Sequence, residues 1–531
     1  MSWSTIMRES GEREESAMER LLRGAYRVNA DRPALTDARR TVTFAQVETE
    51  VDEVIRGLAA LGASPGDCVA IICSGRIEAA VLDQAAYLGG FIRLAVNRRL
   101  HPREAVEILR RARAKVVVVD KEWATRIESE LDKTRVEHLI LLDGGAEPGG
   151  RAVAYEQVRV GGRRWIGAVP QPVSELAPAQ LGFTSGTTGS PKGAVHSLRA
   201  IAASLRNTIM ECDARHTDVV HTAMPLSHVG GILTMAYFVR GAHQFLAEKF
   251  DTGSTVDAVR THGATVLFVV PAMLTELNPL MVGVESKLRR IIYGGSPMPV
   301  SEIVRTRAVF GSVLLQMYGQ TESGLPISTL GPEDHDWDGE PPPHLASVGR
   351  PTPYADVRVV RTDGTAADIG ELGEVTVRSD SVMTEYFEDP EATAAALSGG
   401  WLRTGDIGRF DLDGRLYLVG RSKEVIISGG FNVYPAEVED VIMSIEDVRE
   451  VAVLGTPHPK WGETVAAVVV SRSGKPLDPV GIERLCREHL AGFKIPRVIT
   501  QVTELPRNSG GKVMKKELAR LLTAEEEVAE R

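Results

Sequence analysis

Short runs of β-branched and other apolar residues recur along the first 300 residues, and they limit the fold more than any other feature. Glycine, proline or charged residues bound each run, and the runs lie at positions 68–73, 116–120, 138–142, 265–270 and 288–293. Continuous apolar strands of this kind suit a sheet that is covered on both faces. Helical patterns accompany them, for example at 44–61, where Thr43-x-x-Gln46 has the form of a capping box. This alternation predicts an α/β fold with largely parallel sheets.

The pattern changes from about Val348 onward. Segments that alternate more strictly lie at 356–361, 373–378 and 415–419, with turn sequences such as Asp363-Gly364 and Asp413-Gly414. We therefore predict a large N-terminal domain of layered α/β sheets over residues 1–419, including a β-rich subdomain at about 345–419. The remaining residues, 420–531, indicate a small α+β C-terminal domain. The acidic, proline-rich stretch at 331–343 is expected to form a surface loop.

Charge and cysteine content narrow the function classes. The 531 residues include 71 acidic and 61 basic side chains, a net charge of −10. This balance argues against a nucleic-acid binder or a polybasic membrane-surface protein, because both need an extended positive field. The four cysteines form no CxxC pair, so neither a disulfide framework nor a zinc site is indicated. The longest apolar run, 266–274, is half a membrane span, so we expect a cytoplasmic protein without a transmembrane segment.

One string of residues, Phe183-Thr-Ser-Gly-Thr-Thr-Gly-Ser-Pro-Lys-Gly193, carries the strongest chemical signal. It combines three glycines, five hydroxyl side chains and Lys192. Backbone N–H groups and hydroxyls of such a loop can cradle phosphate oxygens, while the lysine supplies charge. It is not a Walker A loop, because Pro191 replaces the glycine that this motif needs before its lysine. The alternative is a flexible surface linker, but the pattern favours phosphate binding by Thr184, Ser185, Gly186, Thr187, Thr188, Gly189 and Lys192.

This string resembles the phosphate loop of the adenylate-forming superfamily, which contains acyl- and aryl-CoA synthetases, luciferases and nonribosomal-peptide adenylation domains. Further segments resemble the motifs of this superfamily in the same order: Tyr318-Gly-Gln-Thr-Glu322, Thr404-Gly-Asp406, the segment from Gly420 to Gly430, and Pro506-Arg-Asn-Ser-Gly-Gly-Lys512. The resemblance extends over about residues 25–520. It implies an ATP-dependent enzyme whose small C-terminal domain is mobile.

The resemblance also implies a role for each motif residue in nucleotide binding. Tyr318 would stack on adenine, Thr321 would contact the α-phosphate side, and Glu322 would hold Mg²⁺, for which oxygen ligands are suited. Asp406 would accept hydrogen bonds from the ribose hydroxyls, and Arg421 would reach ribose or phosphate. The adenine and acyl sites would also be bordered by Gly294, Gly295, Ser296 and Gly319. On local sequence alone, an Asp in a glycine turn is equally well explained as a structural residue.

The resemblance places catalysis and domain movement in the last part of the chain. Lys512 would be the catalytic lysine, because a mobile ammonium can neutralise a carboxylate and a phosphate as they meet. Lys423 would be the hinge, and the CoA tunnel would form at Gly429, Gly430 and Phe431. His228 would gate the carboxylate site, although a structural histidine is an equally good interpretation. Consistent with polyanionic ligands, the stretch 483–520 carries nine basic and four acidic residues.

The predicted substrate pocket comprises His228, Gly230, Gly295, Met317 and Gly319. Met317 stands where many relatives have glycine, and its volume favours a compact, aromatic or short- to medium-chain acid over a long chain. The predicted function is an acid–CoA ligase that uses ATP, Mg²⁺ and CoA, with a homodimer as a further expectation. Two alternatives stay open. The acceptor could be a carrier-protein thiol, an amine or a nitrite-type oxyanion, or the chain could be a non-catalytic nucleotide-binding regulator.

Overall fold

Four β-sheets and the helices packed on them form the computed structural model, which describes residues 15–145, 150–184, 191–227, 229–458, 460–507 and 513–529. The helices of these residues, in chain order, are α1 (Ala17–Val28), α2 (Phe44–Ala60), α3 (Ile77–Gly89), α4 (Pro102–Arg111), α5 (Lys121–Ile127), α6 (Tyr155–Arg164), α7 (Leu198–Glu211), α8 (Val229–Val239), α9 (Thr252–Arg260), α10 (Pro271–Met281), α11 (Val300–Phe310), α12 (Pro390–Ala396), α13 (Pro435–Met443), α14 (Pro479–His489) and α15 (Lys515–Ala529). Short 3₁₀ turns lie at Glu128–Lys133, Pro343–Ala346, Ser422–Glu424 and Gly492–Lys494.

The strands of the described residues are numbered in the same way. They are β1 (Pro33–Thr36), β2 (Thr41–Thr43), β3 (Cys68–Ile72), β4 (Ile92–Ala95), β5 (Val116–Val119), β6 (His138–Leu141), β7 (Ala152–Ala154), β8 (Pro178–Thr184), β9 (Lys192–Ser197), β10 (Val219–Thr222), β11 (His243–Leu246), β12 (Val266–Val269), β13 (Arg290–Gly294), β14 (Leu314–Gln320), β15 (Gly324–Leu330), β16 (Arg350–Pro351), β17 (Asp356–Val360), β18 (Gly373–Arg378), β19 (Glu385–Tyr386), β20 (Leu397–Ser398), β21 (Trp401–Phe410), β22 (Leu416–Arg421), β23 (Ile426–Ser428), β24 (Phe431–Val433), β25 (Val448–His458), β26 (Gly462–Ser471) and β27 (Val498–Gln501).

Two large sheets have mainly parallel cores; the first has antiparallel strands at both edges, and the second has them at one edge only. The first has the order β16-β15-β14-β13-β12-β10-β11-β1-β2, and the second has the order β19-β9-β8-β4-β3-β5-β6-β7. Strands β8 and β9 pair antiparallel, so Thr184 and Lys192 lie directly opposite each other. The two ends of the predicted phosphate loop are therefore held side by side at one end of the second sheet.

Helices α1, α2, α3, α7 and α8 contribute to a core that also includes residues from both large sheets. Successive residues of a strand face opposite sides. In β3, Val69 and Ile71 therefore join this central core, whereas Ala70 and Ile72 pack in a second core with α4 and α5. This double coverage explains why the strand sequences are continuously apolar. The predicted α/β fold class is confirmed.

The predicted elements agree with the observed ones within one to two residues. Helix α2 starts after Thr43, whose hydroxyl accepts from the backbone N–H of Gln46 while the Gln46 side chain accepts from the N–H of Thr43. Both halves of the capping box are thus present. The alternating segments after Val348 form the antiparallel sheet β17-β18-β21-β20, in which β22 pairs with β21.

A fourth sheet, β24-β23-β26-β25 with β27 beside β26, begins at Ile426. Strand β22 extends to Arg421, two residues beyond the predicted end of the N-terminal domain. The domain division itself stays a prediction. None of the helices in the described ranges is long and apolar enough to cross a membrane.

The stretch 331–343 is mostly an exposed loop, as predicted, but two of its polar residues are buried. His335 is fully buried; its Nδ1 lies 2.7 Å from the carbonyl oxygen of Gly331, and its Nε2 lies 2.9 Å from the hydroxyl of Tyr293. Asp334 is also buried and pairs with Arg415 at 3.3 Å. The charged, proline-rich composition did not reveal these partners, since they come from distant strands.

Candidate active site

An open cleft of about 1740 Å³ lies where the edges of the large sheets meet residues of the fourth sheet. Among the predicted site residues, those that line it are Thr184, Lys192, Gly295, Ser296, Gly319, Thr321, Glu322, Arg421 and Lys423. Gly294, Tyr318 and Asp406 are each adjacent in sequence to a lining residue. Ser185, Gly186, Thr187, Thr188, Gly189, His228 and Lys512 lie outside the described residues.

Glu322 is the centre of a polar cluster at one end of β8. Its Oε1 accepts hydrogen bonds from the Thr184 hydroxyl at 3.2 Å and from the Tyr386 hydroxyl at 3.0 Å. The Lys192 ammonium lies 5.2 Å from the centre of the Tyr386 ring, a cation–π distance. Burial, followed by the nearby Glu322 carboxylate, raises the pKa of Tyr386, so its hydroxyl stays protonated and can donate.

Glu322 can supply carboxylate oxygens to a metal ion, but the described side chains do not form a complete coordination shell. Among the described residues there is no group of three or more His, Cys, Asp or Glu side chains that could hold a metal ion. Mg²⁺ is usually bound by one or two carboxylates together with substrate phosphates and water. A buried carboxylate beside the ends of a hydroxyl-rich loop therefore fits a Mg²⁺ ion that arrives with a nucleotide.

Asp406 links three of the predicted nucleotide-binding segments. Its Oδ2 accepts a hydrogen bond of 2.6 Å from the Tyr318 hydroxyl, and its Oδ1 lies 3.0 Å from Nε of Arg421. Strands β21 and β22 hold this geometry, because Asp406 and Arg421 are register partners. The Thr404 hydroxyl donates to the carbonyl of Val375 at 2.7 Å and accepts from the N–H of Asp406 at 3.1 Å. The turn thus fixes a buried carboxylate beside an aromatic ring and a cation.

Thr321 packs directly against β8. A Cβ built on Gly182 would lie 2.5 Å from the Thr321 methyl carbon, so only glycine permits this approach. The contact aligns the segment from Tyr318 to Glu322 along the inner face of the strand that leads into the predicted phosphate loop.

The hinge and tunnel residues are separated in the structure. Lys423 lies in the 3₁₀ turn Ser422–Glu424 and lines the cleft. Gly429 and Gly430 form the connection between β23 and β24, Phe431 is the first residue of β24, and none of the three lines the cleft in this structure. Phe431 is exposed and stacks on Phe493, with 4.7 Å between the ring centres.

Two predicted pocket residues do not line the cleft. Met317 is buried in a core cluster, with its sulfur 3.8 Å from Sγ of Cys212, because β14 directs this side chain towards the ends of α7 and β10. Gly230 also lies outside the lining; a Cβ there would be 2.6 Å from the carbonyl oxygen of Pro225, so this glycine permits tight packing of α8. Neither residue lines the cleft in this structure, and their place in the substrate pocket stays a prediction.

Sequence reasoning missed several polar residues of the site. Tyr386 bonds to Glu322, and Arg93, Gln180 and His196 line another part of the cleft. No local sequence motif identifies these four residues. Each lies in a strand, and its role depends on neighbours that are distant in sequence.

The two large sheets and the smaller fourth sheet meet at a cleft that contains both ends of the predicted phosphate loop, an arrangement that suits an enzyme that uses a nucleotide. The family model "AMP-binding enzyme" matches residues 22–387, and the model "AMP-binding enzyme C-terminal domain" matches residues 437–512. The chain therefore belongs to the AMP-binding enzyme family, and the recognition of the adenylate-forming superfamily is confirmed.

Known relatives extend over nearly the whole chain. Indoleacetate–CoA ligase of Aromatoleum aromaticum is 34% identical over 91% of this chain and 94% of its own length. 2-Succinylbenzoate–CoA ligase of Geobacillus kaustophilus is 32% identical over 94% and 96%, respectively. The solved structure of the amide bond synthetase McbA from Marinactinospora thermotolerans matches with a TM-score of 0.85 at 30% identity, covering 95% of this chain and all of that one. The predicted enzyme class, an AMP-forming ligase of the acyl-CoA synthetase type, is confirmed.

Proposed function

We propose that this protein is an ATP-dependent carboxylic acid–CoA ligase that acts through an acyl-adenylate on a compact or aromatic acid. The observation that carries the proposal is the arrangement of Thr184, Lys192, Glu322 and Tyr386 at one end of the cleft, with Asp406 and Arg421 paired nearby. Such a site offers hydroxyls, a cation and a carboxylate to a metal-bound triphosphate.

In the first step, a carboxylate oxygen of the acid attacks the α-phosphorus of ATP, and pyrophosphate leaves with the electron pair of the broken P–O bond. Glu322 would hold Mg²⁺, which neutralises phosphate charge when bound. Lys192 and the hydroxyl of Thr184 would orient the phosphates, and Asp406 would bind the ribose. These residues contribute by positioning and by stabilising charge, which are the main demands of phosphoryl-transfer chemistry.

In the second step, the CoA thiolate attacks the acyl carbon and AMP leaves with its phosphate oxygen. A rotation about Lys423 would move Lys512 away and bring Gly429, Gly430 and Phe431 to the cleft. In the present arrangement an ion pair joins the C-terminal region to the large domain, Arg472 with Glu302 at 3.1 Å. Glu302 is buried, but the Arg472 side chain is about one-third exposed, so water can replace the contact when the C-terminal region moves.

The two half-reactions provide the test. Lys512→Ala should reduce acid-dependent ATP–pyrophosphate exchange by several decades while the variant still converts supplied acyl-AMP and CoA to thioester. Lys516→Ala, a change at an exposed lysine of α15, is the matched control and should leave both half-reactions unchanged. Equal loss of both half-reactions in the Lys512 variant would contradict the assignment.

An amine acceptor is the second candidate, because the amide bond synthetase has the same fold over 95% of this chain. Mass spectrometry of products formed with CoA, with an amine or with both would separate the two acceptors. A carrier-protein thiol or a nitrite-type oxyanion would give neither product, and a regulatory protein would give no acid-dependent exchange.

We also propose that the enzyme acts in the cytoplasm as a homodimer. The location is consistent with the absence of a membrane-spanning helix among the described residues, and light scattering of the purified chain would test the dimer. A mass of one 57.5 kDa chain at micromolar concentration would refute it.

A further inference from the structure

A row of three polar side chains crosses the second large sheet and faces the cleft. Arg93 of β4 is the register partner of Gln180 of β8, which in turn is opposite His196 of β9. All three line the cleft. The residues next to them, Leu94, Leu181 and Val195, belong to the core cluster on the opposite face of the sheet. The strand alternation therefore directs Arg93, Gln180 and His196 to one side.

The charge of Arg93 is already neutralised. Its Nε and Nη2 bond to the two carboxylate oxygens of Asp83 at 2.5 and 2.8 Å, and both residues are buried. Nη2 also donates to the carbonyl of Leu226 at 2.8 Å. Because Asp83 already balances the charge of Arg93, a substrate anion beside this pair would be a buried negative charge without a counter-charge. Burying such a charge is costly. The row is thus unsuited to a second carboxylate on the substrate.

Gln180 has a defined amide orientation. Its Oε1 accepts from Nη1 of Arg93 at 3.1 Å and from the Tyr87 hydroxyl at 2.7 Å. Since an arginine can only donate, the oxygen must face Arg93, and the amide nitrogen points away from it. Within the described ranges no hydrogen bond of this nitrogen is found.

His196 is 2% exposed, and neither ring nitrogen makes a hydrogen bond of normal geometry to the residues that the structure describes, although the backbone of Thr321 lies near enough to interact with the ring. Burial lowers the pKa of His196 to about 4, an effect that the backbone of Thr321 partly opposes. At neutral pH the ring is therefore uncharged, with one N–H donor and one acceptor nitrogen. A buried polar group without a full hydrogen bond is destabilising, so a ligand group that bonds to this ring would be favoured.

We propose that His196 and the amide of Gln180 bind a neutral hydroxyl at the far end of the acid, so that the enzyme selects hydroxylated compact acids over their hydrocarbon analogues. This inference rests on the proposed acid-activating function and specifies its substrate. A hydroxyl matches both groups, because its oxygen accepts from the Gln180 N–H while its proton is donated to the unprotonated nitrogen of His196. A hydrocarbon end would leave both groups unpaired.

The sheet geometry sets the length of the acid. Thr184, Gly182 and Gln180 share one face of β8, with Thr321 over Gly182 and the proposed metal ligand near Thr184. Two residues along a strand span about 7 Å. The bound hydroxyl would therefore lie about 7 Å from Thr321 along the direction of β8, a distance that a para-substituted aromatic ring spans.

The test compares acids that differ only in this group, using acid-dependent ATP–pyrophosphate exchange. The pairs are 4-hydroxybenzoate with 4-methylbenzoate, 4-hydroxyphenylacetate with 4-methylphenylacetate, and 3-(4-hydroxyphenyl)propanoate with its 4-methyl analogue. For at least one pair, kcat/KM should be about tenfold or more higher for the hydroxy acid, because the methyl analogue leaves the buried polar groups unpaired. His196→Leu should reduce that ratio to about threefold or less, and His196→Gln, which keeps a donor and an acceptor, should retain more of it.

His221→Leu is the matched control. His221 is also buried with a pKa lowered to about 4, but it does not line the cleft, so the ratio should not change. A wild-type ratio near or below one in every pair would overturn the inference even if no variant folds, and so would an unchanged ratio in His196→Leu. Equal exchange with both members of each pair refutes only this specificity, whereas no exchange with any acid refutes the proposed function itself.

Discussion

Met317 packs in the core of the structure, whereas the sequence predicts it in the substrate pocket. Truncating its side chain separates these two roles. The residue is 6% exposed and packs in a cluster with fully buried Cys212, Tyr237 and Val266. Met317→Ala removes the thioether and its terminal methyl from this cluster, which includes the sulfur contact of 3.8 Å to Cys212. Truncation of a buried methionine costs about 2–5 kcal/mol, depending on how far the cavity collapses.

We expect a loss of about 3 kcal/mol, measured as a lower urea midpoint at an unchanged slope. The relative kcat/KM values over a series of acids should stay the same. Met210→Ala, at a methionine that is 58% exposed on α7, is the control and should change stability by no more than about 0.5 kcal/mol. The reasoning would be refuted if Met317→Ala kept wild-type stability and accepted longer acids.

Three further variants test the site and the core. Asp406→Asn should raise the KM for ATP about tenfold or more in pyrophosphate exchange, because Arg421 loses its charged partner and the ribose its acceptor; an unchanged KM would exclude this role. Tyr386→Phe should lower kcat/KM about fivefold, since the 3.0 Å bond to Glu322 is lost while the ring remains; a wild-type rate would make this hydroxyl dispensable. Burial lowers the pKa of His335 to about 4, against about 6.5 in the unfolded chain, so its contribution to stability is complete above pH 6.5 and is lost as the pH falls towards 4. His335→Gln should therefore reduce the loss of unfolding free energy between pH 7 and pH 5 by up to about 2 kcal/mol, and urea titrations with the same pH dependence in both proteins would contradict this.

Much of the fold is predictable from local sequence. Continuous apolar strands reflect coverage on both faces, and the Thr43–Gln46 capping box marks the start of α2 to the residue. The order of strands in a sheet cannot be predicted from local sequence. Strand β8 pairs with β4, and β19 pairs with β9, although the members of each pair are far apart in the sequence. The burial of His335 escaped prediction for the same reason, since Tyr293 supplies its partner from another sheet strand.

The site residues show the same difference between local and distant sequence information. Residues within dense motifs, such as Thr184 and Glu322, could be identified because the motif itself specifies the chemistry, and the structure brings their side chains within 3.2 Å. The packing of Met317 in a buried cluster was not predicted, because a motif position specifies the strand but not the face that the side chain occupies. His196 was missed since its environment arises from three strands and not from its own segment.

The central claim is that the cleft adenylates a carboxylic acid, and the most direct measurement is acid-dependent ATP–pyrophosphate exchange in wild type and Glu322→Gln. The wild type should exchange only when a suitable acid is present. The variant, which loses the carboxylate beside Thr184 and Tyr386, should be slower by about two decades or more. Glu276→Gln, at an exposed carboxylate elsewhere along the cleft, should behave as wild type. Exchange that is independent of acid, or equally fast in Glu322→Gln, would contradict this account.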